Sequence, residues 1–592
     1  MTSTGLHVVP RPHRVETGSG AVRFDAPIVI GTTEADAPAV VSLFETHLER
    51  ETNERIVRGD GDGDFDVRLV LEDRPAEEFD GREGYVLEAD GDADTVTIRA
   101  ETADGLRYGC QTFVTGLAFR TRNRRDGDGI GDGDRDRWAF PACTIHDWPE
   151  TSWRGFLLDP AWGFLSIDRV KRRIDQAARA KLNRLRLRLL DDEGYALESE
   201  AFPALTRGAD GSTRPAYSPA DVAELVDYAA RRGIEIVPEI NVPSHAEHVL
   251  ETYPELRCTV ENGDASERTL CIGSDETLEF VETLFDEVVD RFPFSFGVVH
   301  VGGDDWEMHG HSWDECADCR EKMAEDGSET VTEHFYAFVR HLHRFLDERD
   351  RRTMMWNDQI DISESPDLPR DVLIQFWRVA APGRGPVEGC SLERFLEEGF
   401  DVVNSSVRAA FVRGWISEEY LHGWAPRRRP TVPEGRESQV RGGELLAFEP
   451  SNERRRDYFE RALPSAIPIF ADRLWNPEPI DGRPAFGRTL TRHALGPYVP
   501  NGFDAYRELG GTILPTNWKR SGQGPPAHAN NSLGDRTPRE ASAAYRAAIE
   551  SISTLRDSDE TVYPETATAY VDCLEWLLEV ADRERRGVLD RP

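Results

Sequence analysis

The sharpest chemical signal in the chain is the run Phe296-Gly297-Val298-Val299-His300-Val301-Gly302-Gly303-Asp304-Asp305-Trp306. An apolar stretch enters two glycines and then two adjacent acids. Glycine lets the backbone turn tightly, so both carboxyls can face one ligand. Neighbouring carboxyls in a partly dry pocket split in pKa: one stays charged, and the other keeps its proton and can act as a general acid. The plain alternative is a helix start capped by acids. Other polar or aromatic residues stand at the ends of apolar runs: Asp159, Asp191 with Asp192, Glu239 with His245, Trp356 with Asp358, then Trp377, Asn404 and Phe448. Acids, one or two histidines and large aromatics suit a sugar pocket, because aromatic faces stack on a pyranose while carboxylates bind hydroxyls and move protons. His300, Trp162 and Trp306 are candidates for the same pocket. His300 also reads as a structural residue inside a strand, and the tryptophans as packing aromatics. No glycine-rich phosphate loop follows a strand, and no G-x-S-x-G elbow is present.

His309-Gly310-His311 with Cys316-Ala317-Asp318-Cys319 puts four nitrogen or sulfur donors in one short segment, a set that could hold structural Zn²⁺. The spacing is not that of a standard finger. The expectation is therefore no metal and no cofactor, with buried thiols in a loop beside the site.

Elements that could position these residues are legible from periodicity. Eight short apolar runs (Arg154–Asp159, Asn183–Leu189, Ile234–Ile240, Gly297–Gly302, Thr353–Asn357, Val372–Trp377, Asp401–Asn404 and Gly443–Phe448) alternate with amphipathic stretches, among them Ile167–Lys181, Ser218–Arg232, Glu276–Phe292, Thr330–Arg349 and Leu392–Glu398. Ser218-Pro219-Ala220-Asp221 is a helix start with an N-cap serine, a first-turn proline and an early acid. The alternation predicts a (β/α)8 TIM barrel, a fold whose chemistry sits at the C-terminal strand ends. Before it, residues 1–145 mix short strands with helices and read as a small α+β domain. The barrel is placed at 146–490, and 491–592, with helical spacing in Ala541–Ile552 and Thr566–Arg585, reads as a helical C-terminal region.

The formal charge of 71 − 109 = −38 over 592 residues excludes a phosphate-tracking nucleic-acid binder and a binder of anionic membranes. Lysine occurs only at Lys171, Lys181, Lys322 and Lys519, and an acidic, lysine-poor surface suggests a halophilic protein kept soluble in high salt. Scattered cysteines, no apolar leader at the N-terminus and no apolar span of bilayer length lead us to expect a cytoplasmic protein.

Several ordered blocks resemble the family 20 glycoside hydrolases, the β-N-acetylhexosaminidases, from about residue 8 to 480. Ala103 to Thr112 resembles the end of that family's N-terminal domain, and Trp153 to Asp159 its first barrel strand. Lys181 to Asp192 resembles the second strand. Pro238-Glu239-Ile240-Asn241-Val242-Pro243-Ser244-His245 resembles its PE-x-D-x-PGH block, and His300 to Asp305 its H-x-GGDE block. The resemblance implies a retaining, substrate-assisted exo-glycosidase acting on an amino-sugar glycoside, in which the substrate's acetamido oxygen attacks the anomeric carbon. It implies that Asp304 orients the acetamido group and that Asp305 is the general acid and base. It further implies that Asp191 and His245 form a tuning pair, and that Trp356, Trp377 and Phe448 wall the pocket.

The chain departs from the family at Asp305, where glutamate is usual. It departs again at Trp162, which aligns with a sugar-binding arginine, and in the Phe411-Val412-Arg413 region and near Glu449. Two other readings stay open: a carbohydrate-binding pseudoenzyme, and a hydrolase of another glycan with Trp162 and Arg413 rebuilding the outer pocket.

Overall fold

A computed structural model describes residues 6–120 apart from 33–36, 60–63, 74, 77–78 and 80–82. It describes 137–480 apart from 208–211, 262–264, 294–296, 359, 361–366, 378–390, 413–417, 429–430 and 449–452, and beyond 480 the helix Pro538–Arg556 with isolated residues on either side. Arg413 and Glu449 lie outside the described residues.

The N-terminal part is a mixed sheet of β1 (Arg14–Phe24), β2 (Ile28–Thr32), β3 (Ile56–Arg58), β4 (Val67–Leu71), β5 (Tyr85–Asp90), β6 (Thr95–Ala100), β7 (Ala118–Arg120) and β8 (Arg137–Asp147). Its order is β1-β8-β5-β6-β4-β2-β3, with β7 on β8. Helices α1 (Pro38–Thr52) and α2 (Ala103–Gly116) bury Val40, Val41, Phe44, Leu106 and Phe113 in this sheet's core. The period-2 strands and 3.6-period helices thus each hide one apolar face in a shared layer.

The barrel strands are β9 (Trp153–Leu158), β10 (Arg184–Asp191), β12 (Glu235–Val242), β13 (Val298–Gly302), β14 (Arg352–Trp356), β15 (Leu373–Phe376), β16 (Val402–Asn404) and β17 (Val440–Ala447), with a short β11 (Gly194–Tyr195) beside β10. All eight pair in parallel, and β17 closes on β9 with Gly442 opposite Trp153 and Ala447 opposite Leu158. Helix α3 (Ile167–Arg179) is capped by Ser166, and α4 (Pro219–Arg231) carries a full capping box from Ser218 and Asp221, as the serine-proline start predicts.

The inside of the barrel is layered. Trp153, Val237, Val298, Met354, Leu373 and Val403 form a separate apolar cluster. Two residues further along several strands stand polar groups instead. Fully buried Arg186 joins Glu239 (Nη1 to Oε2, 2.6 Å) and Glu444 (Nε to Oε1, 2.6 Å), while Gln375 donates to Glu444 at 3.0 Å. Ion pairs take the place of hydrocarbon directly beneath the mouth.

The barrel is bolted to the N-terminal sheet by buried polar contacts. Lys181, ahead of β10, reaches Asp147 Oδ2 and the Tyr85 hydroxyl, each at 3.0 Å. Trp475, the last residue of the helix Glu453–Trp475, packs into the sheet's core and donates to Asp147 Oδ1 at 2.8 Å. Beyond the barrel, Ala541–Ile552 falls inside the helix Pro538–Arg556, while most of 566–585 is outside the described residues.

Candidate active site

The barrel mouth gathers residues from several strand ends. Asp191 closes β10, Asp304 and Asp305 follow β13, and His245 follows β12. His245 Nδ1 lies 2.8 Å from Asp191 Oδ1 and 3.1 Å from Asp192 Oδ2; its Nε2 lies 3.5 Å from Asp304 Oδ2 and 3.9 Å from Asp305 Oδ2. The imidazole therefore stands between an acidic pair behind it and the two neighbouring aspartates in front. Both His245 (φ 55°) and Asp305 (φ 55°) occupy the left-handed region, which costs L-residues energy and is repaid only where surrounding structure fixes it. Gly302 (φ 79°) makes the turn possible, since a Cβ there would sit 1.9 Å from Asn241 Oδ1.

Sequence reasoning missed the central cation. Arg188, buried on β10, places Nε 2.7 Å from Asp191 Oδ2 and Nη1 3.3 Å from Asp304 Oδ2 and 3.4 Å from Glu239 Oε1. The available signal was Arg184, Arg186 and Arg188 alternating with Leu185, Leu187 and Leu189 in a strand buried on both faces. Such a pattern in a barrel strand aims three cations the same way.

The electrostatics follow from these contacts. Burial opposes a charge on His245, but Asp191 and Asp304 outweigh it and hold its pKa well above the ordinary imidazole value. Burial also opposes ionisation of Asp304, yet Arg188 and His245 hold its carboxyl below the usual carboxylate range. Asp191 is likewise lowered against burial by Arg188 and His245. Asp159 goes the other way: burial, with Asp191 nearby, pushes it well up. The site thus favours an imidazolium beside an anionic Asp304 and disfavours charge on Asp159. Asp305 has the most open side chain of the aspartates around His245, at 20% exposure against 11% for Asp304.

The aromatic candidates divide. Trp356 donates to Glu239 Oε1 at 3.0 Å and meets Trp377 edge-on, with ring centroids 6.2 Å apart. Trp377 is half-buried and donates Nε1 to Asp358. Phe448 is half-buried beside Phe411, with Arg188 over its ring at 5.7 Å. Trp162, also half-buried, donates its backbone N–H to Asp159 Oδ1 at 2.9 Å. Trp306 is fully buried, with centroids 5.2 Å from Trp313 and 5.3 Å from Phe335, so it lies in the packed layer behind the mouth rather than facing it. His300 is fully buried against Trp356 and accepts the Gly302 N–H on Nδ1 at 3.0 Å. Burial and the cations of Arg186 and Arg188 keep His300 neutral.

The donor set suggested by sequence for zinc is corrected. His309 faces the His245 ring at 4.3 Å and His311 stacks on Trp313 at 4.9 Å, while Cys316 and Cys319 turn instead toward Cys258 and Cys271.

The model for "Glycosyl hydrolase family 20, catalytic domain" matches residues 152–420, and that for "Glycosyl hydrolase family 20, domain 2" matches 5–148. The chain belongs to glycosyl hydrolase family 20. Among curated relatives, this family 20 chain is similar to a beta-hexosaminidase of Porphyromonas gingivalis, 25% identical over 392 residues, covering 63% of this chain and 48% of the relative. It is similar to another beta-hexosaminidase, of Akkermansia muciniphila, 31% identical over 234 residues, covering 37% and 47%. The chain thus spans about half the length of these relatives. Its fold is shared by the chitobiase of Flavobacterium johnsoniae, with TM-score 0.70, 21% identity and coverage of 99% of this chain and 94% of that one.

Proposed function

We propose that this family 20 chain is a retaining, substrate-assisted exo-β-N-acetylhexosaminidase. The observation that carries this reading is His245 Nε2 standing 3.5 Å from Asp304 and 3.9 Å from Asp305, with Asp191 2.8 Å behind it. Anionic Asp304 accepts the acetamido N–H and steadies the positive charge that develops as the acetamido oxygen attacks the anomeric carbon. Asp305, nearer the opening, gives its proton to the leaving oxygen. It then takes one from the water that opens the cyclic intermediate. Arg188 and His245 are positioning residues that keep Asp304 charged. Trp356 and Trp377 form the pocket wall, and Trp162 with Phe448 the outer rim. The curated relatives of this chain named beta-hexosaminidases support the same substrate class.

The charge of −38 supports action at high salt, and buried unpaired thiols support a reducing, cytoplasmic setting. Among the described residues no helix is long and apolar enough to cross a membrane. An aryl N-acetyl-β-glucosaminide assayed at molar salt tests the proposal. We expect turnover, inhibition by a thiazoline mimic of the cyclic intermediate, and loss of turnover in Asp304→Asn and Asp305→Ala. Equal cleavage of the matching aryl glucoside, which lacks the acetamido group, rules out substrate assistance.

A further inference from the structure

Four cysteines from two different active-site loops converge beside the barrel mouth. Cys258 and Cys271 lie in the loop that follows His245; Cys316 and Cys319 lie in the loop that follows Asp305. All four are buried, and their sulfurs lie within 4.8 Å of one another. The separations are 3.6 Å for Cys271–Cys316, 3.6 Å for Cys271–Cys319 and 3.9 Å for Cys258–Cys319. Four thiolates bound tetrahedrally to one Zn²⁺ at about 2.3 Å stand about 3.8 Å apart, so the cage has the size of a mononuclear site. The described cysteines, these four included, are free thiols, with no disulfide among them.

We infer that Cys258, Cys271, Cys316 and Cys319 form a structural tetrathiolate zinc site that ties together the two loops carrying His245 and the Asp304–Asp305 pair. The surroundings suit thiolates. The Gly273 amide donates to the Cys271 sulfur. Cys316 is the N-cap of the helix Ala317–Asp326 and Cys319 lies in its first turn, where unpaired backbone N–H groups favour negative charge. The loops also approach closely: a Cβ on Gly273 would stand 2.4 Å from the Cys319 Cα. The same two loops reach the reacting groups. The Leu270 N–H donates to Pro243 O at 2.9 Å, the Trp313 indole donates to Leu270 O at 2.9 Å, and the His309 N–H donates to Asp305 O at 2.9 Å. The metal would take no part in the reaction; it holds the frame from which His245 and the aspartates project.

The test is elemental analysis and zinc-edge X-ray absorption on the full chain, purified without chelator. We expect one zinc per chain with a shell of four sulfurs at about 2.3 Å. Iron in place of zinc, no stoichiometric metal, or a nitrogen or oxygen shell overturns the inference. Cys258→Ser and Cys316→Ser each should lower zinc content by about tenfold or more. Because those variants endanger folding, the native chain supplies a second reading. A strong chelator should release the zinc together with four thiols that react with a thiol reagent, and should raise amide exchange in 243–261, 265–274 and 303–319. Four thiols that react in the native chain without metal release overturn the site.

Discussion

Replacing Arg188 by methionine keeps the apolar stem and removes the charge. In the native chain Arg188 stands 3.3 Å from Asp304 and 2.7 Å from Asp191, all three buried. At 3.3 Å the attraction to Asp304 is about 5 kcal/mol with an effective dielectric constant of about 20. Removing one partner of a buried pair costs about 3–5 kcal/mol, because the others stay buried without compensation. We therefore expect Arg188→Met to lose about that much stability. The pH dependence has a definite sign. Asp304 ionises below the usual carboxylate range, so the stability it contributes is present above that range and is lost as pH falls through the lowered value. Without Arg188 that value rises, and both the stability loss and the acid limb of kcat/KM move to higher pH. His245, 3.5 Å away, remains and limits the movement. Arg188→Lys, which keeps a charge without the fork, falls between the two. The assay is kcat/KM across the acid and neutral range, beside a denaturation midpoint. A folded Arg188→Met chain whose acid limb coincides with that of the parent would refute the reasoning.

Asp305→Ala should lower kcat by about 10²–10⁴-fold on a substrate with a poor leaving group, and less on an activated aryl glycoside; equal losses on both count against a proton-donor role. In Asp191→Asn the His245 imidazolium loses its principal anion. The stability that its raised pKa lends below that value then begins to fall away at lower pH, and the alkaline limb of activity shifts down; an unmoved limb counts against His245 as the cation that holds Asp304 charged. Trp377→Ala should raise KM more than it lowers kcat, through loss of a stacking face and of the indole bond to Asp358, as steady-state kinetics would show. Gly302→Ala should fail to fold or lose activity wholly, because its Cβ overlaps Asn241; a normally active chain contradicts the turn geometry.

Periodicity located the barrel well because each strand is a short apolar run buried on both faces. The run read as Asn183–Leu189 is Arg184–Asp191, and that read as Val372–Trp377 is Leu373–Phe376. The helix Glu453–Trp475 is hidden from sequence pattern, because Pro464 and Pro468 lie inside it and proline ordinarily marks an end. At the site, Asp191, His245, Asp304 and Asp305 were legible as polar residues following strands. Arg188 was not: within a run of Arg-Leu repeats, sequence alone does not say which face turns inward, and only barrel closure decides it. The same limit applies to the thiols. Cys258 and Cys271 are far from Cys316 in sequence and meet it only because adjacent parallel strands bring their loops side by side.

The contacts around Asp147 bear on how the molecule comes apart. One carboxylate takes bonds from Lys181 ahead of the second barrel strand, from Tyr85 of the sheet and from Trp475 after the last strand. A barrel cut free at residue 148 would strand an ammonium and an indole in a newly wetted face. Calorimetry should accordingly record the two family 20 segments melting in a single endotherm, and the excised barrel should aggregate rather than refold.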